Sequence, residues 1–163
     1  MIAREQYEAF MTIVRKEIKR YLRIWTQTLL PSAITMSLYF VIFGTLIGSR
    51  IGEMGGFTYM EFVVPGLIMM AIVTNSYSNV VSSFFGSKFS GSVEELLVSP
   101  VSNVVILMGY VVGGVSRGLL VAVVVTLVSL FFTDLTVHSY FIVVVVVLMT
   151  STLFALAGFI NAV

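Results

Sequence analysis

The chain has 163 residues, 58% of them hydrophobic and only 10% charged. A water-soluble domain carries about a quarter of its residues as charges, so this chain lacks the polar surface to stay dissolved. Its net charge of +1 is uninformative as a total, and with no cysteine it offers no disulfide or thiolate-metal chemistry.

Between residues 7 and 25 the apolar side chains fall at Tyr7, Phe10, Met11, Val14, Ile18, Tyr21, Leu22 and Trp25. Steps of three and four place them on one stripe of a helix. Arg4, Glu8, Arg15, Lys16, Lys19 and Arg23 fill much of the other side. The spacing predicts an interfacial helix over residues 1–25, its stripe in the acyl boundary and its basic side towards anionic membrane lipid. A soluble helix packed on a partner is the alternative. Trp25 then stands at the membrane entrance, where aromatic belt residues collect.

Runs of about 18 or more apolar residues read as membrane-spanning helices. Four are expected, at residues 26–47, 62–85, 109–132 and 140–162. The predicted fold is therefore all-α: a polytopic membrane protein with a transmembrane domain over 26–163, preceded by the amphipathic helix. Arg4, Arg15, Lys16, Lys19, Arg20 and Arg23 all precede the first span, and Lys88 falls in the same compartment. The outer loops hold Arg50 beside Glu53 and Glu61, then Asp134 with no Lys or Arg. The positive-inside rule puts the N-terminus and the 86–102 loop in the cytoplasm.

Pro31 frees the carbonyl of Gln27 and should bend the first span; Pro65 frees that of Glu61. The inner half of the second span is polar, with Thr74, Asn75, Ser76, Ser78, Asn79, Ser82 and Ser83. Asn75 and Asn79 share a face. Hydrogen bonding between helices is the simpler reading, and a substrate path the sharper one.

The loop at 86–102 reads G-S-K-F-S-G-S-V-E-E-L-L-V-S-P-V-S. Ser92, Val93, Glu94 and Glu95 fit a capping box, Leu96, Leu97 and Val98 give a short helix an apolar side, and Pro100 stops it. The loop predicts a two-turn acidic helix over about 92–99. It either lies on the lipid surface or serves as a knob that a cytoplasmic partner grips.

An exit of the third span at Phe132 starts its crossing near Gly113 and places Arg117 about one turn inside the cytoplasmic boundary. From there Arg117 can snorkel to water, or it can face a cavity that receives an anionic headgroup. Gly109/Gly113 and Gly114/Gly118 are two G-x-x-x-G pairs that let another helix approach closely. The last run carries Thr150, Ser151, Thr152 and Gly158 as its small or polar positions. Its end lacks a charged or aromatic anchor, and a natural reading frame continuing through two further apolar runs is expected.

No enzyme constellation is visible. His138 stands alone in an outer loop, no phosphate-binding glycine loop occurs, and no carboxylate pair lies within a span. Neither a cofactor nor a metal nor nucleic-acid binding is expected, and any energy source should lie outside the chain. A four-span structural or assembly subunit without a transport path is the rival reading.

Three stretches carry a resemblance to a known family. They are the basic amphipathic N-terminus, Y-M-E-F-V-V-P-G-L at 59–67, and V-E-E-L-L-V-S-P-V at 93–101 before the glycine-rich third span. In this order they resemble the permease subunit of bacterial type-2 ABC exporters. The resemblance implies a six-span permease in the inner membrane, of which this chain matches about two thirds. It also implies a homodimer bound to a separate cytoplasmic ABC ATPase that hydrolyses the ATP. The short loop helix would be the coupling helix, contacting the ATPase through Glu94, Glu95, Leu96, Leu97 and Pro100. The N-terminal helix would also contact the ATPase. Substrates in such a family are mostly amphiphiles.

Overall fold

The computed structural model describes residues 3–51, 53–54, 56–133 and 139–163. Helix α1 (Ala3–Arg23) ends in a break at Ile24, and α2 (Trp25–Val41) opens the first span. Thr28 repairs the break from the side: its hydroxyl lies 3.1 Å from the Tyr21 carbonyl and 3.2 Å from that of Ile24. These are carbonyls that a helix end leaves open. The span continues through Pro31 into a π-helical stretch, Ile42–Gly48, and a last turn α3 (Ser49–Ile51).

Between α3 and α4 the chain forms a small hairpin. Strands β1 (Glu53–Met54) and β2 (Phe57–Thr58) pair antiparallel, Glu53 opposite Thr58 and Met54 opposite Phe57. Gly56, at φ +86°, supplies the left-handed backbone that so tight a turn requires. Asp134 and His138 lie outside the described residues.

Helix α4 (Tyr59–Phe89) has 31 residues and runs through Pro65 without ending. At 1.5 Å per residue it is about 46 Å long, well beyond a hydrocarbon core of about 30 Å. The expected span 62–85 lies within it. Its start is a true capping box: the Thr58 N–H donates to Glu61 Oε2 at 2.7 Å, and the Glu61 N–H donates to Thr58 Oγ1 at 3.4 Å. Helix α5 (Ser92–Val98) follows, then α6 (Asn103–Ser129), capped by the Ser102 side chain, and α7 (Tyr140–Ala162). Among the described residues four helices are long and apolar enough to cross a membrane.

Helix α4 is the centre of the bundle, with α6 and α7 against it and α1 lying across α6. Two apolar clusters hold the helices together. At the α5 end are Ile13, Val80, Phe84, Ile106, Tyr110 and Ala155; at the other end are Met36, Phe40, Val64, Leu67, Val121 and Val125. Phe84 meets Tyr110 edge-on, centroids 5.4 Å apart, and Phe159 at 4.6 Å.

The glycines of α6 explain how two helices can pack closely against it. A Cβ on Gly109 would come 2.6 Å from Ile13 Cγ2, and one on Gly113 would come 2.6 Å from Glu17 Cβ, so this pair admits α1. Gly114 and Gly118 point to α4, where a Cβ would meet Val80 and Ser76. The two G-x-x-x-G pairs therefore seat two different helices.

The buried face of α1 differs from the apolar stripe read in the sequence. The buried side chains are Ile13, Val14, Glu17 and Tyr21, while Tyr7, Leu22 and Trp25 are exposed. The inward face is thus rotated from the apolar stripe, because the glycine seat on α6 takes Ile13 and Glu17.

Candidate functional site

Two places bring the sequence-predicted residues together. The first is α5, joined to α4 by a turn in which Gly91 takes φ +74°. No side chain caps this helix. The expected capping box of Ser92 with Glu95 is therefore absent. The Ser92 hydroxyl instead donates back to the Ser87 carbonyl at 3.1 Å, which ties the loop to the end of α4. At the far end the Ser99 hydroxyl donates to the Leu96 carbonyl at 2.6 Å.

Leu96 turns inward with Val93 and packs on the apolar cluster. Beneath it lies an apolar hollow of about 410 Å³, lined by Phe84, Ile106, Leu107 and Phe159 among others. The outward face consists of Glu94, Glu95, Leu97 and Val98, with Leu97 62% and Val98 86% exposed. Pro100 is exposed as well. Leu96 and Leu97 both line the hollow, but they differ in depth: Leu96 packs on the apolar cluster, whereas Leu97 keeps most of its surface exposed at the rim.

Gln6 was not singled out by sequence reasoning. Its Nε2 donates to the Pro100 carbonyl at 3.1 Å, and its Oε1 accepts from the Ser102 N–H at 3.1 Å. One side chain of α1 thereby holds both sides of the turn leaving α5. Its only sequence signal is a neutral amide among charged neighbours on the polar side of the helix.

The second place is a buried polar layer between the two apolar clusters. Asn75, Asn79 and Ser83 face inward from α4, and all three are buried. The Asn75 Nδ2 donates to the Ala71 carbonyl at 2.9 Å and to Ser32 Oγ at 3.2 Å, joining α4 to α2. From α1 comes Glu17, with no solvent exposure; it accepts from the Ser83 hydroxyl at 2.5 Å and from Arg20 Nη2 at 3.2 Å. Arg20 Nη2 also lies 2.9 Å from Asn79 Oδ1 and 3.0 Å from the Asn79 carbonyl.

Arg117 of α6 completes this layer. Its Nη2 donates to Asn75 Oδ1 at 3.1 Å, with Nη1 at 3.5 Å from Asn79 Oδ1. Of the two readings of Arg117, the geometry favours the inward one: the guanidinium points into the bundle, where amide oxygens receive it. The Asn pair bonds across helices, and it does so to two arginines. Glu17 was the residue missed. It stands four positions after Ile13 and four before Tyr21, inside the buried face, yet an acidic residue breaks any apolar stripe.

Residues 8–163 match the protein family described as ABC-2 type transporter. The chain is also 59% identical, over 155 residues, to the "Inner membrane transport permease YadH" of Escherichia coli (strain K12); the match covers 95% of this chain and 60% of the relative. The proteins of the same name from Escherichia coli O157:H7 and Shigella flexneri match with the same identity and coverage. The chain thus spans about 60% of the length of these relatives. No solved structure matches it.

Proposed function

This chain belongs to the ABC-2 type transporter family, and from that premise we propose that it couples a separate cytoplasmic ATPase to the export of an amphiphilic molecule. It is a multi-pass protein of the bacterial inner membrane. In this reading the work of hydrolysis falls to the separate ATPase. The basic residues ahead of α2 favour a cytoplasmic N-terminus, and α5 then faces the cytoplasm too.

The observation that carries this reading is the outward face of α5. Leu97 and Val98 are exposed next to two exposed carboxylates, an apolar centre with an acidic flank. It suits a partner whose groove is apolar at the centre and basic at the rim, where ion pairs set orientation and on-rate. Burying the leucine would contribute roughly 1.5–3 kcal/mol. Force applied to α5 has a rigid route onward, since Ser92 and Leu96 fix it to α4 and the core, and Gln6 fixes its exit to α1.

A homodimer would supply the remaining contact. The first ten residues of α7 are nearly all exposed, and they are apolar, as an interface with lipid or a second copy requires. The test of the main reading is co-purification of the full-length permease with its ATPase from detergent extract. Leu97→Asp should leave the permease in the membrane and lose the ATPase. Retention of the ATPase at the normal ratio would sink the docking role of α5.

A further inference from the structure

The polar layer is short of negative charge. Two guanidiniums, Arg20 and Arg117, converge on the single amide oxygen of Asn79, and among the described residues Glu17 is the one carboxylate in contact with them. Arg117 touches only amide oxygens. Three buried donors in this layer have no partner among the described residues: Arg20 Nε, Arg117 Nε and Asn79 Nδ2. Buried cations and donors of this kind carry a large desolvation cost unless an anion meets them. The fourth orphan, Ser76 Oγ, belongs to helix packing, since it lies against Gly118.

Counting along α4 from the expected start of the second span gives the layer a depth, and the layer is open on one side. Asn79 is seventeen residues along α4 from Phe62, or about 26 Å, which brings it close to the far edge of a hydrocarbon core of about 30 Å. Phosphates of the leaflet lie just beyond that edge. The Arg20 side chain keeps 28% of its surface exposed, so an anion arriving along the bilayer can reach it.

We propose that Arg20, Arg117 and Asn79 form a binding site for the phosphate of an anionic phospholipid, seated between α1, α4 and α6. Planar guanidiniums with unused N–H groups match phosphate oxygens geometrically, and the Asn79 Nδ2 adds a neutral donor. The bound headgroup would neutralise the surplus charge and lock α1 onto the spans. The inference stands apart from the transport reading, because binding is measured on the purified permease without ATP or partner.

The experiment is native mass spectrometry of the full-length protein with three probes: phosphatidylglycerol, phosphatidylcholine and inorganic phosphate. One phosphatidylglycerol should survive activation that strips phosphatidylcholine. Arg20→Gln and Arg117→Gln should each weaken its retention by about tenfold, the effect of losing a charge-assisted hydrogen bond. Arg23→Gln, on the exposed side of α1, should change nothing. Asn79→Asp keeps the test sound if an arginine variant fails to fold. It places an internal carboxylate between the two guanidiniums, and should expel the lipid while melting at or above the wild-type temperature. The proposal is overturned if Asn79→Asp retains phosphatidylglycerol or melts lower, or if both lipids are held equally. Protection by inorganic phosphate without retention of lipid would overturn the lipid assignment in favour of a free anion.

Discussion

The Glu17 carboxylate, fully buried, accepts a hydrogen bond from the Ser83 hydroxyl at 2.5 Å, and so joins α1 to α4. The same carboxylate holds Arg20 at 3.2 Å. Removing it leaves a guanidinium without its counter-ion. Glu17→Gln should therefore cost on the order of 3 kcal/mol, the lower end for a broken buried pair because Arg20 is partly exposed. Ser83→Ala should cost about 1 kcal/mol. Thermal unfolding in detergent measures both. The double variant Glu17→Gln/Arg20→Gln should be less damaging than the sum of the singles; strict additivity would contradict a direct pair.

Glycine positions offer a sharper contrast. On Gly113 a Cβ meets the Glu17 stem at 2.6 Å, and on Gly158 it meets the Tyr77 carbonyl at 2.7 Å. Gly113→Ala and Gly158→Ala should destabilise by about 1–3 kcal/mol, the range for overpacking. Gly66 and Gly86 face open space inside the same long helix. There Gly→Ala should be neutral or stabilising by up to about 1 kcal/mol, since alanine is the better helix former. Equal effects at all four positions would mean that α1 and α7 do not pack as described.

The spans were legible because length and apolarity alone define them: the fourth was expected at 140–162, the bounds of α7. The short helix at about 92–99 was legible from Pro100 and from an apolar side. What could not be read was direction. A capping-box pattern occurs at both Thr58/Glu61 and Ser92/Glu95, but only the first forms, because Ser92 is drawn back to α4. Arg117 lies within reach of water by sequence distance, and its turn into the bundle depends on Asn75 and Asn79 from another helix. Glu17 is hidden for the same reason: its partner Ser83 is 66 positions away. Long-range polar pairs leave no periodicity.

The difference in burial between Leu96 and Leu97 gives two distinguishable failures. Leu97→Asp alters an exposed surface, so the permease should melt normally and lose its partner. Leu96→Asp puts a charge against Phe84 and Ile106. It should lower the melting temperature and detach α5 from the core, with partner loss as a consequence. Limited proteolysis of the 86–102 loop separates the cases: rapid cleavage in Leu96→Asp, wild-type rates in Leu97→Asp. Identical protease profiles would show that the two leucines do not differ in burial.

Gln6 permits a test of whether α1 and the exit of α5 move as one body. Two of its contacts use different atoms: Nε2 donates to the Pro100 carbonyl, and Oε1 accepts from the Ser102 N–H. Gln6→Leu removes both. Gln6→Glu keeps an oxygen for Ser102 while losing the donor for Pro100. A single hydrogen bond of about 0.5–1.5 kcal/mol corresponds to a two- to tenfold change in amide protection. Hydrogen exchange at Ser102 should therefore accelerate by that factor in Gln6→Leu and stay near wild type in Gln6→Glu. Both variants should still bind the ATPase, because Leu97 and Val98 are untouched. Coupling should suffer in both, since the Pro100 carbonyl is released in each and α1 no longer follows the turn. The readout is substrate-stimulated ATP hydrolysis by the reconstituted complex, expected to fall while basal hydrolysis holds. Unchanged stimulation in Gln6→Leu, with Ser102 exchange accelerated, would show that the clamp forms but transmits nothing.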